Sequence, residues 1–201
     1  MGEKLMSLRE HTIDRREFVA KLIAQLPDAL IVTGLGSASY DVFAAGDRPE
    51  NFYLWGAMGG STSLALGLAL AQPDKSVVVI TGDGEQLMGI GSLATVGAKQ
   101  PANLTIVVLD NGHFGETGMQ QSHSSLGTDL VAVAKGCSIE DAFHVGDVAD
   151  TAKIAERANA RAGTVFAQVA ITAAEPPRAL PPRDGVYVKN RFREALGFKP
   201  F

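Results

Sequence analysis

Apolar positions along the chain follow two alternating patterns. Short runs of aliphatic and β-branched residues are typical of buried strands, whereas apolar residues that recur every three or four positions are typical of helices. We predict strands at residues 29–33, 52–55, 77–81, 104–109, 142–145 and 164–169. We predict helices after the N-cap Asp14 and over residues 61–71, 89–98, 129–134, 148–161 and 189–196. This alternation predicts an α/β fold with a doubly wound, mostly parallel sheet and helices on both faces.

The segments that follow four of these strands stand out by composition. Three of them are rich in glycine, at residues 34–39, 56–60 and 82–84. The fourth, at residues 111–126, is polar and has no periodicity, and a loop of this length in a compact domain is usually functional. In a parallel sheet all four segments meet at the carboxyl edge of the strands, where such folds bind ligands.

The length and the lack of internal repeats bear on the domain organisation. A chain of 201 residues is long enough for one domain with a full core. We predict a single domain over residues 1–201. Within it, residues 175–201 form a proline-rich tail that ends in a short helix.

Charge and cysteine content restrict the class of protein. The net charge of −4 gives no electrostatic support for binding nucleic acid or an anionic membrane. The single cysteine, Cys137, excludes an intrachain disulfide and a cysteine-ligated iron–sulfur cluster, and it favours a reducing compartment. Residues 1–16 are charged and lack the apolar segment of a signal peptide, and the longest apolar stretch, 64–71, is too short to span a bilayer. We expect a soluble, cytoplasmic protein.

Two polar residues follow predicted strands in positions that suggest a metal site. Asp83 lies between two glycines directly after the strand at 77–81, and Asn111 follows the strand at 104–109. If these strands are neighbours, a carboxylate and an amide oxygen reach the same edge of the sheet. Such oxygens suit Mg²⁺, which often also binds the phosphates of a ligand. A structural turn is the alternative for the Gly-Asp-Gly segment alone, and the spaced Asn111 favours the metal site.

The pattern resembles the motif of thiamine-diphosphate (ThDP) enzymes. Residues 14–196 are similar to the diphosphate-binding domain of that family, and most similar to the sulfopyruvate and phosphonopyruvate decarboxylases. The segments that carry the likeness are 53–59, 82–88, 111–120 and 191–192. The resemblance implies that Mg²⁺ is ligated by Asp83, Asn111 and the backbone carbonyl of His113.

The resemblance also implies a set of cofactor contacts. Met58 would support the bend of ThDP, and the Gly56 carbonyl would accept a hydrogen bond from its aminopyrimidine. Glu85 would contribute only its backbone amide. Met58 could instead fill a gap in the core, and Ser37 could be a helix N-cap. The implied cofactor-binding residues are Gly36, Ser37, Gly56, Ala57, Met58, Asp83, Gly84, Glu85, Asn111, Phe114 and Gly115.

Candidate substrate contacts lie in the loop at 111–126. They are His113, Glu116, Gln120 and His123, although each could equally be a solvated loop residue. Substrates of the resembled decarboxylases end in a sulfonate or phosphonate group, which needs cationic or amide donors. The loop contains no Arg or Lys, so we expect these donors from the tail or from a partner chain. The candidates in the tail are Arg183, Lys189 and Arg191.

The resemblance implies that the chain does not act alone. In the family, the glutamate that activates the cofactor lies on a pyrimidine-binding domain, and this chain has length for only one domain. We therefore predict a separate pyrimidine-binding subunit, in a homo- or hetero-oligomer. The predicted function is the ThDP- and Mg²⁺-binding subunit of a decarboxylase of small 2-oxo acids. The alternatives are a carboligase or other ThDP lyase or oxidoreductase subunit, and a non-catalytic ThDP-binding protein.

Overall fold

A parallel sheet of six strands forms the centre of the computed structural model, which describes residues 12–199. Most of the N-terminal segment that lacks the pattern of a signal peptide lies outside the described residues. The sheet has the strand order β2-β1-β3-β4-β8-β7, and every neighbouring pair is parallel. Its strands are β1 (Leu30–Thr33), β2 (Asn51–Tyr53), β3 (Val77–Gly82), β4 (Leu104–Asp110), β7 (Asp141–Val145) and β8 (Val165–Ala170).

Helices cover both faces of this sheet, as the alternating pattern predicted. They are α1 (Arg15–Ala24), α2 (Ser37–Ala44), α3 (Ser61–Ala71), α4 (Asp83–Met88), α5 (Gly91–Lys99), α6 (Leu130–Gly136), α7 (Thr151–Ala160) and α8 (Gly185–Ala195). Among the described residues no helix combines the length and the apolar character needed to cross a membrane.

The strands are buried on both faces because their side chains alternate between two apolar clusters. One cluster joins Ile31, Val78 and Val107 to helices α1, α2 and α7. The other joins Val32 and Val79 to helices α3, α5, α6 and α8. This two-sided burial explains why β3 and β4 are nearly continuous runs of aliphatic residues.

The order of the strands creates a crevice at the carboxyl edge of the sheet. From β1 the chain moves outward to β2, then returns to place β3 on the other side of β1. Ligands bind at such a reversal in open α/β sheets. Because Gly82 pairs with Leu109 in the β3–β4 register, the segments beginning at Asp83 and Asn111 leave the sheet side by side. The prediction that neighbouring strands deliver these two residues is confirmed.

Two helices at the crevice were not among the predicted helices. Helix α2 was raised only by the alternative of an N-cap at Ser37, and its first turn has no apolar periodicity to signal a helix. At Gly82-Asp83-Gly84 the chain passes directly from β3 into α4, which begins at Asp83 with Gly82 as its extended N-cap. The helix predicted over 89–98 corresponds to α5 alone, which begins two residues later.

The loop at 111–126 is more regular than its sequence indicates. It contains a small antiparallel hairpin, in which β5 (His113–Phe114) pairs with β6 (Gln120–Gln121) around a 3-10 turn at Gly115–Thr117. Two-residue strands are too short to show an alternating pattern. This hairpin lies beside the crevice because Asn111 directly follows β4.

The C-terminal region folds back over the same edge of the sheet. Residues 175–184, which we name the C-terminal strap, have no regular secondary structure. The strap is held at Pro182, whose carbonyl accepts a hydrogen bond of 2.9 Å from Trp55 Nε1. Helix α8 then starts earlier than predicted because Asp184 caps the backbone amides of Val186 and Tyr187. It packs on β2 through Phe192, whose ring centroid lies 5.4 Å from that of Phe52.

Candidate functional site

A cavity of about 410 Å³ opens at the crevice between β1 and β3. This volume is within the range of small-molecule and cofactor sites. Its walls come from the segments that follow β1, β2, β3 and β4 and from the hairpin β5–β6. The predicted cofactor residues that line it are Ser37, Met58, Asp83, Gly84, Glu85, Asn111, Phe114 and Gly115.

Asp83 is the most deeply buried acid of the cavity wall, with 2% of its surface exposed. Its Oδ2 accepts a hydrogen bond from the Ser122 hydroxyl, and it lies 3.1 Å from Ser124 Oγ, whose single proton is shared with Asp110. Burial, followed by repulsion from Asp110, raises the pKa of Asp83 to about 6, although the two serine hydroxyls oppose this rise. A carboxylate in this environment is stabilised by a nearby cation.

Asp110 extends this network on the other side. Its Oδ1 accepts hydrogen bonds from Ser124 Oγ at 2.7 Å and from the Gly112 amide at 2.9 Å. Its Oδ2 accepts one from Gln168 Nε2 at 2.5 Å. Asp110 is therefore a buried, fully engaged carboxylate. It supplies negative charge behind Asp83 and holds the start of the hairpin.

Asn111 and His113 are fixed to each other by two hydrogen bonds. The His113 amide donates to Asn111 Oδ1 at 2.9 Å, and His113 Nδ1 lies 2.7 Å from the Asn111 carbonyl, to which it must donate. These contacts set the direction of the backbone between the two residues. Among residues 12–199 no three His, Cys, Asp or Glu side chains are grouped as metal ligands. One carboxylate with amide and backbone carbonyl oxygens is a donor set suited to Mg²⁺.

The Glu85 carboxylate, at the wall of the cavity, joins two of the segments that form it. Its Oε2 accepts a hydrogen bond of 3.1 Å from the Leu35 amide, in the segment after β1. Its Oε1 has no hydrogen bond of good geometry among the described residues, although Ser61 and Thr81 are near enough to lower its pKa. Burial is the larger effect, so the pKa of Glu85 is raised.

The predicted anion-binding segment after β1 begins helix α2. Gly36 is its N-cap, with a φ of 78°, and no side chain caps the helix. The alternative in which Ser37 is the N-cap is therefore wrong, since Ser37 is the first helical residue. Gly36 is buried and does not line the cavity, whereas Ser37 does. An uncapped helix N-terminus leaves backbone amides that attract an anion.

Met58 lines the cavity and is 39% exposed. This exposure contradicts the alternative in which Met58 fills a gap in the core. Gly56 and Ala57 precede it on the exposed segment after β2, and neither lines the cavity. Across the cavity, the ring of Phe114 packs so closely on Gly84 that a Cβ there would lie 2.6 Å from ring carbons.

The predicted substrate contacts divide into two groups. His113 and Glu116 line the cavity. Gln120 and His123 do not, and Gln120 instead exchanges hydrogen bonds with Thr117 in the hairpin turn. They are exposed residues of the hairpin and of the segment that follows it.

The cationic donors expected from the tail do not line the cavity. Arg191 donates to Asp47 at 2.6 Å, and Arg183 lies over the Trp55 ring at 5.5 Å. Lys189 is exposed elsewhere on α8. Two arginines that the sequence did not single out are closer to it. Arg15 lines the cavity and pairs with Asp41 at 3.3 Å, whereas Arg178 lies outside the lining and pairs at 3.1 Å with the lining residue Glu116.

The fold and the cavity together define an α/β domain with a cofactor-sized cavity at the carboxyl edge of its parallel sheet. Residues 36–169 match the family described as thiamine pyrophosphate enzyme, C-terminal TPP binding domain. The chain therefore belongs to the thiamine pyrophosphate enzymes, for which thiamine diphosphate is the other name of the cofactor. The predicted family is confirmed.

Known proteins similar to this chain include two kinds of decarboxylase. The sulfopyruvate decarboxylase subunit beta of Methanothermobacter thermautotrophicus is 39% identical over 159 residues, which cover 79% of this chain and 82% of that protein. The phosphonopyruvate decarboxylase of Streptomyces viridochromogenes is 48% identical over 118 residues, which cover 58% of this chain and 29% of that protein.

A solved structure shows the same fold. Benzoylformate decarboxylase from Polynucleobacter necessarius superposes with a TM-score of 0.68 at 19% identity, covering 82% of this chain and 34% of that one. At this identity the likeness concerns the fold alone. It confirms the predicted α/β fold class.

Proposed function

We propose that this chain is the ThDP- and Mg²⁺-binding subunit of a 2-oxo acid decarboxylase and forms one diphosphate-binding domain. The observation that carries the proposal is the buried Asp83, which faces a cofactor-sized cavity and has a second buried carboxylate, Asp110, behind it. Two neighbouring carboxylates buried in this way are costly when both are charged, and a nearby cation offsets that cost. The membership of the chain in the ThDP family supports Mg²⁺ with a diphosphate as that ligand.

The residues of the cavity fit this cofactor. Asp83, Asn111 and the His113 carbonyl would hold Mg²⁺, and the backbone at Gly84 and Glu85 and at Gly36 and Ser37 would hold the diphosphate. The further proposed contacts with ThDP are Gly56, Ala57, Met58, Phe114 and Gly115. When bound, ThDP supplies the electron sink for the loss of CO₂ from a 2-oxo acid.

The chain itself contributes orientation. Ser122 and Ser124 hold Asp83 in one position before any cation arrives, which lowers the entropy lost on binding. Glu85 joins the segments after β1 and β3, so the two groups of backbone amides keep a fixed separation. Met58 and Phe114 give the cavity an apolar wall that excludes water from the cofactor ring.

In this proposal a second subunit completes the active site. The acidic side chains that line the cavity are Asp83, Glu85 and Glu116, and neighbouring groups of this chain engage each of them. We therefore assign the glutamate that activates the cofactor to a pyrimidine-binding subunit. The name "subunit beta" of the archaeal relatives supports a two-subunit enzyme. The cytoplasmic location and the homo- or hetero-oligomeric assembly stay predictions.

Substrates with an acidic group beyond the 2-oxo acid are the preferred candidates. The names of the relatives give sulfopyruvate and phosphonopyruvate as substrates of those proteins. We propose a small 2-oxo acid of this kind for the present chain.

Calorimetry tests the cofactor assignment. Titration of ThDP into the purified chain is expected to show binding with Mg²⁺ and little binding in EDTA. Asp83→Ala should abolish the Mg²⁺-dependent binding. The exposed Asp74→Ala is a control that should retain it, because Asp74 precedes β3 whereas Asp83 follows the other end of that strand. ThDP binding that ignores both Mg²⁺ and Asp83 would contradict the proposed site.

Activity measurements test the partner. Sulfopyruvate and phosphonopyruvate should be decarboxylated only when the chain is combined with a pyrimidine-binding subunit. Turnover of either 2-oxo acid by the purified chain alone would refute the need for that subunit.

A further inference from the structure

An ion pair between the hairpin and the C-terminal strap lies at the cavity. Glu116 lines the cavity from the turn of the hairpin, and its Oε2 lies 3.1 Å from Nη2 of Arg178 in the strap. Both side chains are partly exposed, 38% for Glu116 and 61% for Arg178. Arg178 lies beyond residues 36–169, the part of the chain that matches the family.

The Glu116 side chain lies over the predicted diphosphate-binding segment. The Cβ position of Gly36 is 3.1 Å from Glu116 Cγ and 3.3 Å from Glu116 Oε1. Gly36 is the N-cap of α2 and no side chain caps that helix, so a carboxylate close to it is a negative charge at the favourable end of the helix. In this structure the chain places an anion of its own beside the segment that an anionic ligand would use.

The pKa of Tyr40 is affected by both members of this ion pair. Burial and then Glu116 raise the pKa of Tyr40, whereas Arg178 and Arg183 oppose the rise. The Arg178 guanidinium carbon lies 5.8 Å from the centre of the Tyr40 ring. The guanidinium therefore packs against an aromatic face while its nitrogen atoms reach Glu116, which fixes the place from which it can act.

We infer that Arg178 binds a tetrahedral oxyanion of the ligand in this cavity and exchanges its ion pair with Glu116 for that oxyanion. The inference rests on the proposed function, because it assumes a phosphate-bearing cofactor or an acidic 2-oxo acid. The planar guanidinium presents paired donors that match phosphate, phosphonate and sulfonate oxygens. An exposed carboxylate–guanidinium pair contributes little by itself, so an oxyanion of a ligand held in the cavity can replace the carboxylate.

The other arginines near this edge are less suited to the exchange. Arg15 is buried against Asp41, and Arg191 donates two hydrogen bonds to Asp47 and one to the Asn51 carbonyl. The oxyanion itself has two possible sources, the diphosphate of ThDP and the acidic group of the substrate. Both present the same chemistry to Arg178.

Two titrations separate these sources. ThDP with Mg²⁺ is titrated into the wild type, Arg178→Gln and Glu116→Gln at low ionic strength, where exposed charges are least screened. The ThDP-loaded proteins are then titrated with sulfopyruvate and with pyruvate, which lacks the sulfonate. Arg193→Gln is the matched control, because Arg193 lies in the same C-terminal region with its guanidinium over the Phe198 ring, whereas Arg178 pairs with the cavity residue Glu116.

The two variants are expected to act in opposite directions. If the oxyanion is the diphosphate, Arg178→Gln weakens ThDP binding by about tenfold, as expected for a charged hydrogen bond. Glu116→Gln tightens it by about threefold, since an exposed competing charge is removed. If the oxyanion is the sulfonate, these changes appear in the affinity for sulfopyruvate and not in that for pyruvate.

Four outcomes of these titrations are distinguished. If Arg178→Gln matches the Arg193→Gln control for ThDP and for sulfopyruvate relative to pyruvate, the role of Arg178 is overturned. If Glu116→Gln weakens binding of both ligands, Glu116 is a ligand contact and the exchange is overturned. If the wild type binds neither 2-oxo acid, the ThDP titration alone decides whether Arg178 binds the oxyanion. A wild type that binds no ThDP in the presence of Mg²⁺ refutes the proposed function. Failure of the proposed function is thereby distinguished from failure of the inference about Arg178.

Discussion

Gly34 and Glu85 occupy adjoining space so closely that a Cβ atom on Gly34 would lie 1.4 Å from Glu85 Oε2. The same Oε2 accepts the hydrogen bond from the Leu35 amide. The absence of a side chain at residue 34 is thus what allows a buried carboxylate from α4 to reach the segment after β1. The contact sets the distance between two groups of backbone amides that the proposed diphosphate would bridge.

Gly34→Ala should separate these segments. The methyl group cannot coexist with the carboxylate, so we expect a loss of about 1–3 kcal/mol in the free energy of unfolding, as for overpacking. Urea unfolding followed by circular dichroism measures this loss. Gly67→Ala is the matched control: it lies in α3 with no atom within 4 Å of its Cβ position. That control should be neutral or stabilising by up to about 1 kcal/mol, and an equal loss in both variants would exclude the close contact as the cause.

Ser122→Ala should destabilise the chain through Asp83. Ser122 is fully buried and donates to the carboxylate, so its removal leaves Asp83 with one fewer donor. We expect a loss of about 2 kcal/mol in urea unfolding, the size for a hydrogen bond to a charged group. Ser63→Ala, on the exposed face of α3, is the control and should change stability by no more than about 0.5 kcal/mol. If Ser122→Ala behaves like this control, Asp83 does not depend on the serine.

Stability without metal should depend on pH through Asp83. The folded pKa of about 6 is above the ordinary value of 3.8, so the folded chain holds this proton more tightly than the unfolded chain. The contribution is therefore favourable below about pH 4 and is lost as the pH rises through about 6. Urea unfolding in EDTA across this range measures the loss.

Asp83→Asn provides the comparison for this titration, since Glu85 and Asp41 also have raised pKa values and contribute in the same direction. The variant should lose less stability than the wild type between about pH 4 and 7. Identical pH profiles for both proteins would show that Asp83 does not titrate in this window.

Phe192→Ala should detach α8 from the sheet. The Phe192 ring is buried edge-on against Phe52 and belongs to the core cluster on that face. We expect a loss of about 3 kcal/mol in the free energy of unfolding, typical of removing a buried aromatic ring. Val186→Ala, exposed on the same helix, should have little effect. Equal stability of the two variants would mean that α8 does not depend on this contact.

Much of the fold could be predicted because the strands are buried on both faces. Nearly continuous aliphatic runs such as β4 are typical of such buried strands. Helix α3 was predicted with its observed bounds. Helices α2 and α4 were missed because glycine, serine and aspartate dominate their first turns, and these residues favour turns when judged locally. Their helical form depends on packing at the crevice, which no local pattern shows.

The site was predictable only where a residue directly follows a strand. Asp83 and Asn111 have that position, and the register of β3 and β4 carries them to one edge. Ser122, Ser124 and Arg178 reach the same place through the hairpin and the strap. No spacing in the sequence links these residues to Asp83 or Glu116, since only the folded chain brings them together.

The hydrogen bond between Trp55 and the strap gives the protein an internal optical probe. The chain has a single tryptophan, and its indole nitrogen donates to the Pro182 carbonyl while its ring packs near Tyr40 and Arg183. Fluorescence emission from this one ring therefore reports whether the C-terminal strap is packed against Trp55. Trp55 is also only three residues before Met58. Its fluorescence therefore responds both to the position of the C-terminal region and to ligand binding in the proposed cofactor pocket.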